Sequence, residues 1–215
     1  DDSLSLEGYG YYQDNKLFYS YVNNFVTKTL SSNEEDNNDY FKSKYNITLE
    51  NLDIQTVKSL SFFPEILKDF ISGKTSFKVE GITNFNQKEN ITVKGDLKDI
   101  VIDLPQYNYK KTLKENGDFN ISVNLNNKLL DTLNITLNNP NISGDINLSF
   151  SNSQVSSYKI TNFNLNNIVK NLNLIFKTVN QNTKYELKVI DVNADYLDLT
   201  GYFKYIRDVN KVSSN

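Results

Sequence analysis

Apolar and polar residues alternate with a period of two through most of the chain, and this constrains the fold more than any other feature. Such alternation marks β-strands with one apolar and one wetted face. Phe119, Ile121, Val123 and Leu125 alternate with Asp118, Asn120, Ser122 and Asn124. Asn126–Asn127 then suits a hairpin turn, and Leu129, Leu133, Ile135 and Leu137 follow. Beyond Asn138–Asn139–Pro140 the pattern resumes as Ile142, Gly144, Ile146, Leu148 and Phe150. Ser151–Asn152–Ser153 reverses the chain, and Val155 to Leu165 returns with one slip of phase. Ile168 to Val179 and Tyr185 to Val192 form a further pair, joined at Asn180–Gln181–Asn182. Strands of about ten residues are roughly 33 Å long, and in this order they make an antiparallel meander.

The first third is similar but interrupted. Leu4 to Tyr12 and Leu17 to Leu30 suggest a hairpin around Gln13–Asp14–Asn15, followed by an acidic, polar loop over 31–39. Tyr45 to Ile54 reads as a strand. Phe62, Phe63, Ile66, Leu67, Phe70 and Ile71 then fall at helical spacing, with Pro64 in a first turn and Gly73 as the cap. Strands resume at Thr75 to Thr83 and Ile91 to Leu104, and Tyr196 to Ile206 reads as a short amphipathic helix. A β-sandwich explains such alternation, and so does a single long curved sheet with one apolar face. The curved sheet needs a cover, because each exposed Leu or Ile forfeits about 1.5–3 kcal/mol of burial. A helix covers part, and a lipid chain is the natural candidate for the rest.

Composition narrows the chemistry. The 215 residues allow one large domain or two small ones. With 23 basic and 26 acidic side chains, and Arg207 as the single arginine, there is no basic stripe to neutralise nucleic-acid phosphates. The sequence holds no His, Cys, Met or Trp. His-based acid–base work, thiol nucleophiles, the common zinc sites and disulfides are therefore excluded. No phosphate loop, nucleophile elbow or paired-acid signature occurs, so the chain reads as a non-enzyme without a cofactor. Asp96, Asp99 and Asp103 are too widely spaced for a calcium loop, and with Glu34, Glu35, Asp36 and Asp39 they read as solvated acids. Tyr9, Tyr11, Tyr12, Phe18, Tyr19 and Tyr21 read as cross-strand braces of the first hairpin, with a membrane interface or a sugar as the rival use. Asn is abundant, as an AT-rich genome would make it, and the sequons at Asn46, Asn90, Asn120, Asn134, Asn141 and Asn147 are expected by chance in such a chain. No apolar stretch reaches the roughly 18 residues of a membrane span. The start at Asp1, without an initiating Met, leads to the expectation of a segment cut from a longer chain.

From Leu60 onward an ordered series of signatures is similar to the AsmA-like superfamily of bacterial envelope proteins, which includes the TamB and YhdP types. The series opens with Phe63-Pro64-Glu65-Ile66-Leu67-Lys68-Asp69-Phe70-Ile71-Ser72-Gly73-Lys74, a short helix, a Gly and a strand. Gly95-Asp96-Leu97-Lys98-Asp99-Ile100-Val101-Ile102-Asp103-Leu104-Pro105 comes next, and then the aromatic-x-Lys of Tyr109-Lys110-Lys111. Ile142-Ser143-Gly144-Asp145-Ile146-Asn147-Leu148 and the closing Asp191 to Phe203, with Tyr196-Leu197-Asp198-Leu199, complete it. Together these cover Leu52 to Ile206, about two-thirds of the chain. Asn and Lys stand where the family is rich in Gly, Ala and Arg, and Asp191 stands where relatives often keep Gly.

The resemblance implies a mainly β fold: a long antiparallel meander curled into an open groove, or gutter, with one or two short helices. Residues 1–51, the first hairpin and strand with the acidic loop, would share one continuous sheet with a groove domain at 52–215. The resemblance also implies phospholipid acyl chains as partners, and transport between inner and outer membrane that supports outer-membrane integrity. A periplasmic location follows, with an inner-membrane anchor on the missing N-terminal part and a possible outer-membrane partner. Candidates for the lipid-bearing floor are Phe77, Val79, Val93, Phe119, Ile121, Val123, Leu133, Ile135, Ile146, Leu148, Leu172, Leu174 and Phe176. For each of them ordinary core packing is the rival role. The alternative for the whole chain is a secreted or surface β-sandwich acting as an adhesin or structural module.

Overall fold

A strand whose polar side chains can all reach water, and whose apolar ones all point the other way, pairs with neighbours of the same kind in one register. In the computed structural model of the chain most strand residues follow this rule, with Phe18, Ile82 and Ile175 among the exceptions on the polar face, and the strands form one open antiparallel sheet of fourteen. The structure describes residues 3–12, 15–24, 42–58, 68–105, 109–152, 154–181 and 184–200. The elements are β1 (Ser3–Tyr12), β2 (Asn15–Asn24), β3 (Ser43–Asp53), α1 (Ile54–Lys58), β4 (Ile71–Thr83), β5 (Lys88–Asp96) and β6 (Ile100–Leu104). After them come β7 (Tyr109–Lys111), β8 (Asp118–Asn126), β9 (Leu129–Asn139), β10 (Ile142–Ser151), β11 (Gln154–Leu165), β12 (Val169–Gln181), β13 (Lys184–Asn193) and β14 (Tyr196–Leu197). The order β1-β2-β3-β4-β5-β8-β9-β10-β11-β12-β13 follows the chain apart from the excursion through β6 and β7. The sheet does not close on itself, so β1 and β13 are its edges. It is a single sheet, not a sandwich, and it crosses residues 51 and 52 inside β3.

The excursion is an extension of strands already in the sheet. β4 pairs with β5 from Phe77↔Gly95 to Thr83↔Glu89. Its first residues pair with β6 instead, Gly73↔Ile100 to Ile71↔Ile102, one residue out of step with a straight continuation of β5. β7 pairs with β6 much as β8 pairs with β5. Three strands therefore run past the ends of their neighbours and bend at Leu97–Asp99 and at Thr112–Gly117. Gly73 makes the bend possible: its φ is +109°, and a Cβ there would collide with the Asp99 carbonyl oxygen. The Lys74 amide donates to that same oxygen at 3.0 Å.

The bent tip folds as a flap over one end of the apolar face, and the buried core lies there. Tyr109 packs with Ile142, Leu165 and Val169, flanked by Ile102, Leu104, Leu137 and Leu172. Ile54, Leu97 and Ile100 form a second cluster against Ile71 and Phe119. With Leu52 these are all the buried hydrophobic residues among those described. Elsewhere the apolar face is half-buried in the middle of the sheet and exposed toward its edges, at Leu4, Leu6, Tyr19 and Val192.

Several expectations are corrected. Ile71 and Gly73 lie in a strand rather than closing a helix, because β6 offers Ile71–Gly73 a ladder partner; Phe62 to Leu67 fall outside the described residues. The described helix is Ile54–Lys58, started by Asp53, whose carboxylate accepts from the Gln55 amide at 2.8 Å. Tyr196 and Leu197, read as helical, pair with Lys170 and Val169; Thr200 is helical, its amide donating to Asp198 Oδ1 at 2.8 Å, and the rest of that segment beyond it lies outside the described residues. The β8–β9 turn is Asn127–Lys128, one residue later than expected, with φ of 51° and 65° as a type I′ turn requires. Ile91 to Leu104 is two strands broken at the bend. The phase slip read within Val155 to Leu165 is real: the ladder to β12 shifts between Ile160 and Phe163, with Asn162 at φ 51°.

Candidate functional site: an apolar floor across the strands

Residues directly opposite in a ladder share a face, so the register places every side chain. Ile47 pairs with Val79, then the row runs through Val93, Ile121, Ile135, Ile146, Ile160, Leu174 and Val192. This central row crosses nine strands, about 38 Å at the usual interstrand spacing, and it is aliphatic throughout. Nearer the flap a second row runs Leu49–Phe77–Gly95–Phe119–Leu137–Gly144. Farther from it a third runs Tyr45–Gly81–Ile91–Val123–Leu133–Leu148–Tyr158–Phe176. No charged side chain interrupts any of the three.

All thirteen residues singled out from sequence lie on this face. Twelve belong to the three rows; Leu172, two residues before Leu174, sits where the floor runs under the flap. The register adds Ile47, Leu49, Tyr45, Ile91, Leu137, Tyr158 and Ile160, whose alternation was visible but whose face was not. Each of the thirteen is half-buried. Among the described residues no second layer covers the three rows beyond the flap.

Aromatic rings lie flat on this floor beside glycines. A Cβ on Gly81 would fall inside the Tyr45 ring, and one on Gly95 inside the Phe119 ring; each glycine is the direct cross-strand partner of its ring. Ring and glycine together fill one side-chain layer, so the floor stays level. Tyr158 and Phe176 stack with centroids 5.4 Å apart. Partial burial raises the Tyr158 hydroxyl pKa. Tyr45 Oη donates to Glu89 Oε1 at 3.4 Å, at the end of the floor far from the flap, and burial with the Glu89 charge raises its pKa too.

The opposite face is a polar ladder. Asn124 donates to Thr132 Oγ1 at 2.6 Å, Thr136 Oγ1 to Asp145 at 2.8 Å, and Asn46 to Ser20 Oγ at 3.2 Å. The sequons at Asn46, Asn90, Asn120, Asn134 and Asn147 belong to it: Asn and Ser or Thr face out while the Ile or Leu between them faces the floor. The strand alternation itself writes these sequons.

The flap carries three further perturbed groups. Lys111 is fully buried, its ammonium donating to the carbonyls of Ile100 at 2.8 Å and Thr112 at 3.1 Å. Desolvation lowers its pKa against the opposing pull of Glu115, Asp99 and Asp96. Tyr109, 3% exposed, has a hydroxyl with no hydrogen-bond partner among the described residues, and burial beside Glu115 pushes its pKa up to about 12. The Glu115 carboxylate accepts from the Thr112 amide at 3.0 Å, the Thr112 hydroxyl at 2.8 Å and Asn141 Nδ2 at 2.9 Å, and these bonds hold its pKa down. The aromatic-x-Lys singled out from sequence is thus the buried strand of the flap.

The acids have local duties. Asp96 accepts from the Lys98 and Ser76 amides at 3.2 and 3.4 Å, and Asp103 pairs with Lys110 at 2.8 Å. Glu34, Glu35, Asp36 and Asp39 lie outside the described residues. In the first hairpin Tyr9 stacks across the strands on Phe18, centroids 6.2 Å apart, and Lys16 sits over the Phe18 ring. Two shallow depressions, beside α1 and on the β1–β2 hairpin, lie away from the three rows; a trough open along its length encloses no cavity. Among the described residues no helix is long and apolar enough to cross a membrane. No protein-family model, curated protein or solved structure matches the chain.

Proposed function

We propose that the chain shelters lipid acyl chains on the three-row floor without chemical change, as part of a cell-envelope protein that moves phospholipid between membranes. The observation that carries this reading is the central row: nine aliphatic side chains in unbroken register, half-buried except for the exposed Val192 on the edge strand, with no charge among them. Each CH₂ laid against such a surface gains about 0.8 kcal/mol. A chain sliding along the rows exchanges like contacts for like, which keeps the barrier to movement low. The envelope setting, the periplasmic location, the anchor and any outer-membrane partner rest on the AsmA-like resemblance of Leu52 to Ile206. The test is transfer of fluorescent phospholipid between donor and acceptor vesicles. Purified chain should speed transfer in proportion to its concentration; a rate equal to that of vesicles alone contradicts the proposal.

A further inference from the structure

Resting on the acyl-chain reading, we infer that lipid tails run across the strands, in two furrows on either side of the central aliphatic row. Neighbouring side chains within a row stand about 4.8 Å apart, but successive rows are separated by two residues of strand, about 6.7 Å. The rows are therefore ridges, and the hollows between them run at right angles to the strands. A methylene chain midway between two such ridges meets carbon on both sides near the 3.5–4.0 Å at which dispersion is strongest. Laid along a strand, the same chain would climb over three ridges.

The residue types fit this direction. The central ridge has no glycine and no aromatic ring from Ile47 to Val192, so it offers an even wall to both furrows. Beyond Ile47 the same row continues to Tyr19 and Gly8, so rings and glycines occur in the outer rows and at the β1–β2 end of the central one. Three ridges make two furrows, and a lipid with two acyl chains can straddle the middle one. The flap indicates what the floor accepts: its Ile102 and Leu104 pack against the same buried cluster as Leu137 and Leu172 of the floor, and the three rows continue that apolar surface beyond the flap's reach.

The absence of Trp from the sequence gives a clean probe. Phe119→Trp places an indole in the row near the flap, and Tyr158→Trp places one in the row far from it; circular dichroism checks each fold, and Leu172→Trp replaces the first if it does not fold. Each is titrated with diacyl phosphatidylcholine brominated either near the carboxyl or near the methyl end of its chains. Tails running across the strands bind at many positions along the furrows. Both indoles should then be quenched by both lipids, with the ratio of the two quenching efficiencies equal at the two sites within about twofold. Opposite gradients, with methyl-end bromine favouring one indole and carboxyl-end bromine the other, would place tails along the strands and overturn the inference while leaving lipid binding intact. Quenching by neither lipid overturns the acyl-chain reading itself.

Discussion

At the scale of single residues, asparagine does much of what glycine does elsewhere. Of the nine described non-glycine residues with positive φ, six are Asn: Asn51, Asn127, Asn152, Asn162, Asn166 and Asn171. Asn tolerates the left-handed region better than most residues, and at two of these positions another Asn side chain supports the backbone: Asn173 Oδ1 accepts from the Asn162 backbone N–H at 3.1 Å, and Asn164 Oδ1 from the Asn171 backbone N–H at 3.0 Å. A composition that reads as genome bias thus supplies turns and bulges, and outer-face ladders as well. Alternation cannot announce this, since a strand Asn and a bulge Asn look alike in sequence. Two residues in the flap give sharper tests. Tyr109→Phe removes a buried hydroxyl that has no partner, so the variant should gain about 1 kcal/mol, or about 2–4 °C in Tm; a loss of stability in thermal unfolding would mean that the hydroxyl has a partner. Glu115 has a folded-state pKa below its unfolded value. Its stabilisation is full above the unfolded carboxyl range and is lost as pH falls through the folded value. Between pH 7 and pH 3 the Tm of the parent should fall toward that of Glu115→Gln, whereas parallel curves would contradict the assignment.

At the scale of elements, most strands were legible and the flap was not. Alternation identifies β8 to β12 because each has a wet and a dry side. It reads Ile91 to Leu104 as a single strand because Leu97 and Ile100 carry apolar side chains on either side of the break. The bend becomes visible only from the register step between β5 and β6. Helical spacing misleads at Ile71 for the same reason: three apolar residues within one turn also suit a strand end that is buried by a flap. Gly73 was noticed as a helix cap, and its conformational freedom is used for the bend instead. Gly73→Ala should strain the backbone and press against the Asp99 carbonyl, at a cost of order 1–3 kcal/mol. Hydrogen exchange should quicken first at β6 and β7, while the amides of β8, β9 and β10 near Ile121, Ile135 and Ile146 keep their protection. Uniform loss of protection would mean that the flap and the sheet unfold as one unit.

At the scale of the whole molecule, the fold is a sheet whose buried core sits at one end and whose widest apolar surface lies beyond it. A folded chain normally hides such a surface, and the flap hides only its margin. The thirteen floor residues named from sequence share this face because period-two patterning survives from β4 to β12, and pairing turns a pattern along strands into rows across them. Which hollow a ligand follows was not legible, because it depends on spacing between strands rather than along them. The account stands on the floor holding acyl chains, and Ile135 lies at its centre, flanked by Ile121 and Ile146. The most direct test is native mass spectrometry with lipid extraction of the purified chain beside Ile135→Asp, both checked by circular dichroism. The account predicts bound phospholipid, either co-purified or taken up from vesicles, on the parent and at least tenfold less on the folded variant. A parent that carries no lipid and takes up none, or a variant that binds as well as the parent, would contradict it.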